Sequence, residues 1–437
     1  MTHVRNRHSF ATQQVHAGAE PDPVTGARVT PVHLTAGFVF DDFEHARARF
    51  AGEDDGYVYT RIGNPTSAAV ERRLAVLEGG TDAILVGTGQ AAITVALLGI
   101  LGAGDHLLAA ADLYEGSRGL FLDNFGRLGI EVDFVEESAD WERLVRPTTR
   151  AFFAESIANP KDTVLDLPAV AAVAHRHGVP LVVDNTFATP YLLRPLEHGA
   201  DVVVHSASKF LAGHGAALGG AIVTGDGFDW SGFGHLTEPA NVLAGVSWVQ
   251  RYGPQRAYVE HTRGVVASRL GPTISPFNAF LVQQGLETLS LRVARQTQTA
   301  EQLARWLRAR PEVVSVDHAA LDDHPSHDVA RRLLPRGAGA VFSVTLEGGR
   351  AAAQRFVDAV ELFTRMTHVG DVRSLVIHPA STTHAHRTEP ERLAAGIWPG
   401  LLRLSIGLEE PADLLADLEQ ALVASRAPHR SEQGAVA

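Results

Sequence analysis

The chain has no cysteine among its 437 residues, and that single absence removes several chemistries together. Disulfides, thiolate metal sites and a cysteine nucleophile are all excluded. Long apolar runs are missing too: the longest candidates are broken by Gly or Asp before they reach membrane-spanning length. The opening, MTHVRNRHSFATQQ, is polar and lacks the apolar core of a signal peptide. The turn GTGQAA (87–92) has neither a Walker lysine nor a full GxGxxG spacing, which disfavours a P-loop and a nicotinamide-dependent dehydrogenase. No internal repeat or low-complexity tract is visible. A formal charge of −12 disfavours a nucleic-acid partner. What remains is a soluble, cytoplasmic enzyme of ordinary composition, too long for one core and therefore of two or more domains.

Residues 1–65 are rich in Gly, Pro, Thr and polar groups, and read as an extended arm with little core of its own. Asn64 as N-cap and Pro65 at the first helical position then start a helix. Val70, Leu74 and Leu77 recur at helical spacing until Gly79-Gly80 stops it. Short apolar segments follow: DAILVG, HLLAA, IEVDFVE, AFFAE, PLVVD, DVVVHS and GGAIVTG. Helices are expected between them near Gln90, around 117–128 and over 166–178, the last capped by Asp166. Continuous apolar strands alternating with helices predict an α/β fold with a largely parallel sheet covered on both faces. The aromatic stretch 226–250 reads as a loop-like insertion that shapes a site or an interface. Helical segments follow through 254–308. EVVSVDH, AVFSVTLEGG, a helix over 349–361, LLRLSIGLE and a helix over 411–424 predict a second, smaller α+β unit. The expected division is an arm over 1–65, a large domain over 66–270 and a smaller domain over 271–437, with a frayed polar tail from about Arg426.

Chemistry concentrates in DVVVHSASKFLAGHG, residues 201–215. Lys209 stands at the mouth of a buried strand, where desolvation makes an amine a plausible Schiff-base nucleophile. Ser206 and Ser208 could point hydroxyls at an anion beside it, and lysine with phosphate-binding hydroxyls is what pyridoxal phosphate requires. An ordinary lysine after a strand fits the same string. Asp184 closes PLVVD, at the strand end where ligands of open parallel sheets sit; it suits a pyridine nitrogen, or a helix cap. The amides of Gly89 and Gln90 at a helix start would suit a phosphate, or form only a tight turn. Tyr114 could stack on a planar cofactor and carry protons, or simply pack. Arg403 inside an apolar strand needs a carboxylate from a substrate or from the protein. THAH (383–386) lacks a companion carboxylate at metal-site spacing, HRH (175–177) ends a helix where cationic imidazoles are favoured, and no metal is expected.

In order along residues 10–425, these segments resemble the Cys/Met-metabolism family of pyridoxal-phosphate enzymes, and within it the O-acetylhomoserine sulfhydrylases. The pieces are YTRIGNPT (59–66), GTGQAA, ESIANP (155–160), VDNTFATPYLLRPLEHGADVVVHSASKFLAGHG (183–215), SPFNAFLVQQGLETL (275–289), VGDVRSLVIHPASTTH (369–384) and LLRLSIGLE. The long aromatic insertion points to the sulfhydrylase branch rather than to the shorter lyases. The resemblance implies an aspartate-aminotransferase-like fold (fold type I) with a seven-stranded sheet, and pyridoxal 5'-phosphate as cofactor. It implies that Lys209 holds the cofactor and shuttles protons, that Asp184 pairs with its pyridine nitrogen, and that Tyr114 stacks on its ring. Asn159 would lie near its phenolic oxygen. Gly89, Gln90, Ser206 and Ser208 would hold its phosphate, joined by Tyr59 and Arg61 from a neighbouring subunit. Arg403 and Ser374, with Tyr59, would hold the amino-acid substrate. The family usually forms homotetramers, dimers of dimers with shared sites.

The activity implied is γ-replacement on O-acetyl-L-homoserine by sulfide or a small thiol, a step of methionine biosynthesis. γ-Elimination, a carbon nucleophile in a specialised pathway, or a non-catalytic pyridoxal-phosphate-binding role are the alternatives. Retention of Lys209, Asp184, Tyr114 and Arg403 argues against the last. Departures fall around the nucleophile. Ser208 stands where relatives usually have Thr, Glu115 where they have Gly and His368 where they have Asn; VHLTAGF (32–38), with His33, replaces a segment that reads like IYQTTSF.

Overall fold

The structure, a computed structural model, describes residues 8–426, so most of the expected polar tail lies outside the described residues. Two compact units emerge, one ending at Ser290 and interrupted by Ile157–Val164, the other made of that segment and the chain from Leu291. The boundary therefore falls some way beyond the expected 270. Its cause is packing: the helix Pro276–Leu286 lies against the helix Pro65–Glu78. The buried Arg73 reaches across to the Gln283 carbonyl at 3.4 Å and the Glu287 carboxylate at 3.1 Å. Nor is the N-terminal arm wholly extended. Phe10–His16 is a helix that buries Phe10, Gln13 and Gln14, and the Gln14 side chain accepts the Ser290 amide.

Pro65–Glu78 starts and stops where its sequence says. The Asn64 side chain accepts the Thr66 amide at 2.9 Å, and Gly79 ends the helix at φ 74°. The first unit then builds seven strands: β1 (Asp82–Val86), β2 (His106–Ala110), β3 (Glu131–Val135), β4 (Thr149–Glu155), β5 (Leu181–Asp184), β6 (Val202–Ser206) and β7 (Gly220–Thr224). Their order is β1-β7-β6-β5-β4-β2-β3, parallel throughout except that β7 runs against both of its neighbours. The central strands are buried on both faces, which is why they read as unbroken apolar runs. Register brings Glu155 beside Asp184 and Asp184 beside Val204. The ends of β4, β5 and β6 are thus aligned.

The helix expected around 117–128 divides into an α-turn (Glu115–Gly119), a π-turn (Leu120–Phe125) and a 3-10 turn (Gly126–Leu128). The aromatic insertion is not a loose loop. Its Trp230 ring stacks on Tyr258 at 4.2 Å, and the Tyr258 hydroxyl donates to the Ala96 carbonyl at 2.9 Å. The insertion therefore buttresses the helix Gly89–Leu98.

Within this aromatic cluster His261 packs against Trp248 and His235, and its Nδ1 has no hydrogen-bond partner. Burial, with the His235 and Arg269 charges, lowers its pKa from 6.5 to about 4. The neutral ring is the folded form, so the unfolded chain takes up a proton below pH 6.5 that folded His261 refuses. Stability should fall as pH drops from 6.5 towards 4, by up to about 3 kcal/mol from this residue. Melting temperatures across that window test it. His261→Phe should flatten the slope, and an unchanged slope would place the acid sensitivity elsewhere.

The second unit holds a five-stranded sheet: β8 (Val313–Asp317), β9 (Val341–Leu346), β10 (Thr364–Arg365), β11 (Leu375–Ile377) and β12 (Leu401–Ser405). Its order is β10-β11-β12-β9-β8, with only the β10–β11 pair parallel. The helices Gly349–Ala359 and Pro411–Ser425 pack on one another. This is the α+β unit expected from the second half of the chain.

Candidate active site

In the first unit, a polar site gathers at the carboxyl ends of β4, β5 and β6, as an open parallel sheet directs. Asp184 ends β5, and its Oδ1 accepts both the Thr186 amide at 2.9 Å and the Thr186 hydroxyl at 2.5 Å. That hydroxyl oxygen in turn accepts the Ser206 amide at 2.8 Å. One threonine thus ties the end of β5 to the end of β6. Asp184 keeps some exposed surface, yet its carboxyl is surrounded by protein. Burial pushes its pKa up from the usual carboxylate range, against the Thr186 bonds and the His205 charge. A cationic N–H donor would restore the ionised form.

Lys209 lies in the turn after β6, half-buried between the fully buried Ala207 and Phe210. Its amide donates to the Ser206 carbonyl at 3.2 Å and its carbonyl accepts from Gly213 at 2.7 Å. The backbone therefore fixes where the lysine stem begins. Ser206 is half-buried, beside the start of the helix Gly89–Leu98. That helix is capped by Thr88, whose hydroxyl accepts the Ala91 amide at 3.0 Å. The Gly89 and Gln90 amides lie in its first turn, where N–H groups point outward to an anion. Glycine is required at 89: a Cβ there would sit 2.6 Å from the Ser206 Cβ. Ser208 behaves differently, since its hydroxyl is buried, accepting from the Gly219 amide at 3.0 Å and meeting the Gly219 carbonyl at 3.3 Å.

Tyr114 closes over the same region. Its amide donates to the buried Glu155 at 2.5 Å, while 45% of the residue is exposed, which leaves a ring face for stacking. Gly116 lies under that ring: a Cβ at 116 would come within 2.4 Å of it. The Gln90 side chain donates to the Gly116 carbonyl at 2.8 Å, so the tyrosine turn and the helix start are joined. Tyr59 and Arg61 are exposed, with the guanidinium 5.7 Å from the tyrosine ring centroid and bonded to the Ser268 carbonyl.

The second unit carries the other expected residues. Arg403 on β12 is buried, and its guanidinium donates to the Asn159 side-chain oxygen at 3.1 Å and the Thr367 carbonyl at 2.9 Å. It also lies 3.4 Å from the His368 carbonyl. These three acceptors are neutral and orient the guanidinium. Ser374 does something other than expected. Fully buried, it donates its amide and its hydroxyl to Glu409 at 2.7 and 2.8 Å. Its hydroxyl oxygen also accepts the Gly407 amide. Both donors are thus spent inside the protein. The histidines of HRH are likewise engaged, His175 with Asp201 at 2.9 Å and His177 with Glu142 at 2.8 Å.

Three contributors escaped the sequence. Thr186 follows Asp184 by two positions, a spacing at which a side-chain carboxylate caps its own turn, so that signal was available. Glu155 ends the apolar run AFFAE just as Asp184 ends PLVVD. Thr88 is a plain N-cap hidden inside a glycine-rich string.

The residues fit pyridoxal phosphate. A glycine-lined helix start and the Ser206 hydroxyl suit its phosphate, and a desolvated carboxyl at a neighbouring strand end suits its protonated nitrogen. Comparison with known proteins agrees over nearly the whole chain. Residues 11–423 match the family described as Cys/Met metabolism PLP-dependent enzymes. An O-acetyl-L-homoserine sulfhydrylase of Leptospira meyeri is 42% identical over 423 residues, 94% of this chain and 96% of that one. The protein of the same name from Corynebacterium glutamicum is 44% identical, with the same shares covered. An O-acetylhomoserine (thiol)-lyase structure from Campylobacter jejuni, containing N'-pyridoxyl-lysine-5'-monophosphate, superposes with a TM-score of 0.91 at 32% identity. It covers 95% of this chain and all of that one (100%). The chain belongs to the Cys/Met-metabolism family of pyridoxal-phosphate-dependent enzymes.

Proposed function

We propose that the protein replaces the γ-acetoxy group of O-acetyl-L-homoserine with sulfide, giving L-homocysteine and acetate. One observation carries this reading: relatives named for that substrate match 94% of the chain, both units included. Bound pyridoxal phosphate supplies an electron sink for charge that develops on the substrate carbons. The protein supplies the rest. Lys209 would hold the cofactor, and its side-chain amine would take the substrate α-proton. Tyr114 stacks on the ring and moves protons between substrate carbons with Lys209. Asp184 keeps a negative charge at the pyridine nitrogen. Gly89, Gln90 and Ser206 would hold the phosphate, and Asn159 orients Arg403. Ser208 secures the turn that presents Lys209 through its bonds to Gly219.

We assign the substrate α-carboxylate to Arg403, while Ser374 in the same unit holds Glu409. Arg403→Ala should raise the KM for the amino acid by roughly 10- to 100-fold, the worth of a charge-assisted bidentate bond. Steady-state kinetics at saturating sulfide measure it, and an unchanged KM would give the carboxylate to another group.

Leaving-group choice is tested with O-acetyl-, O-succinyl- and O-phospho-L-homoserine at equal sulfide. The acetyl ester should give the highest kcat/KM; a preference for either other ester would overturn the substrate assignment. The assembly we propose is a homotetramer of two dimers, cytoplasmic, in which Tyr59 and Arg61 reach the phosphate held by the neighbouring copy. Supporting it, both side chains are exposed, and Val24, Leu34, Val39, Phe43 and Phe50 nearby expose from 70% to 91% of their surface.

A further inference from the structure

Behind the strand ends lies a second polar layer that faces away from the pocket. Glu78, the last residue of the helix Pro65–Glu78, is fully buried, and so is His205 on β6. Glu78 Oε1 lies 2.5 Å from His205 Nε2. The same oxygen accepts the Asn185 side-chain amide at 3.1 Å. Asn185 in turn donates to the Leu193 carbonyl and accepts the Ser156 hydroxyl at 2.8 Å. Ser156, Asn185 and His205 are each the chain neighbour of a pocket residue. Ser156 follows Glu155, which holds the Tyr114 amide; Asn185 follows Asp184; His205 precedes Ser206. One carboxylate thus gathers the ends of β4, β5 and β6 from behind.

Apolar side chains would fill this space at lower desolvation cost. A carboxylate here, with Glu78 Oε2 and His205 Nδ1 both left without hydrogen-bond partners, is expensive for packing alone. Glu155 on β4 is the register partner of Asp184.

We propose that Glu78 and His205 are a positioning pair for the cofactor: a buried carboxyl–imidazole pair that locks three strand ends and keeps Asp184 placed for the pyridine nitrogen. Neither residue touches the pocket. Their effect passes through Asn185, Ser156 and the backbone of β6. This rests on the cofactor lying at Asp184, and the test reads cofactor binding rather than turnover, so it is independent of which nucleophile the enzyme uses.

The experiment titrates cofactor-stripped full-length protein with pyridoxal phosphate. It reads the dissociation constant and the visible circular dichroism that the held cofactor acquires. Glu78→Ala and His205→Ala should weaken cofactor binding by about tenfold or more and diminish the induced signal. His205→Gln, which can still present an N–H to Glu78, should recover most of both. In steady state, kcat should fall while the KM for the amino acid stays within about twofold, since Arg403 is untouched. Alanine variants with lowered melting temperatures but unchanged cofactor affinity and dichroism would reduce the pair to a core contact and overturn the proposal. If the alanine variants do not fold, Glu78→Gln decides, because it keeps the shape and removes the charge. Weaker cofactor binding and altered dichroism support the proposal, and unchanged values overturn it.

Discussion

Lys209→Ala should abolish turnover, with a loss of roughly ten-thousand-fold or more, while the protein stays folded. The size follows from two roles lost together, covalent attachment of the cofactor and transfer of the α-proton, the second alone contributing about 10²- to 10⁴-fold. The fold should survive because the turn is held by its backbone. The Lys209 amide and carbonyl bond to Ser206 and Gly213, and neither bond uses the side chain. Borohydride reduction followed by mass spectrometry of the intact chain provides the second readout. Wild type should carry one fixed cofactor and the variant none. A variant that still turns over, or still fixes the cofactor, would move the attachment away from Lys209.

Asp184→Asn should be the next largest effect, lowering kcat by about 10³-fold, in the range for losing one preorganised electrostatic partner of a developing charge. Asparagine keeps the size of the side chain and can still accept the Thr186 amide and hydroxyl, so the turn should persist. What is lost is the negative charge. Aspartate is held in surroundings that disfavour ionisation, and a pyridinium N–H partner offsets that cost; asparagine offers only a neutral carbonyl. Cofactor affinity should fall as well. Rapid-mixing measurement of substrate α-deuterium exchange isolates the proton-transfer step, and wild-type exchange in the variant would contradict the electron-sink role assigned through Asp184.

The sequence made the parallel sheet legible because each central strand, buried on both faces, had to be a continuous apolar run. It exposed Lys209, Asp184 and Arg403 for the related reason that charge is costly at the edge of such runs. Other features depend on partners far along the chain, and no local string announces those. The Gln283 and Glu287 contacts of Arg73 moved the unit boundary towards Ser290, more than two hundred positions from that arginine. The stack of Trp230 on Tyr258 turned an apparent loop into a buttress. Ser374 looked available in VGDVRSL, but Glu409, supplied by a distant turn, takes both of its donors. The Glu78–His205 pair was equally hidden, because a glutamate ending a helix and a histidine in a strand are each unremarkable until they meet.

Sulfide-dependent γ-replacement is decided by its product balance. Purified holoenzyme is incubated with O-acetyl-L-homoserine, with and without sulfide, and acetate, homocysteine and 2-oxo acid are quantified. Equal amounts of acetate and homocysteine should form, and only when sulfide is present. Acetate released with 2-oxo acid in the absence of sulfide, or no homocysteine in its presence, would contradict it.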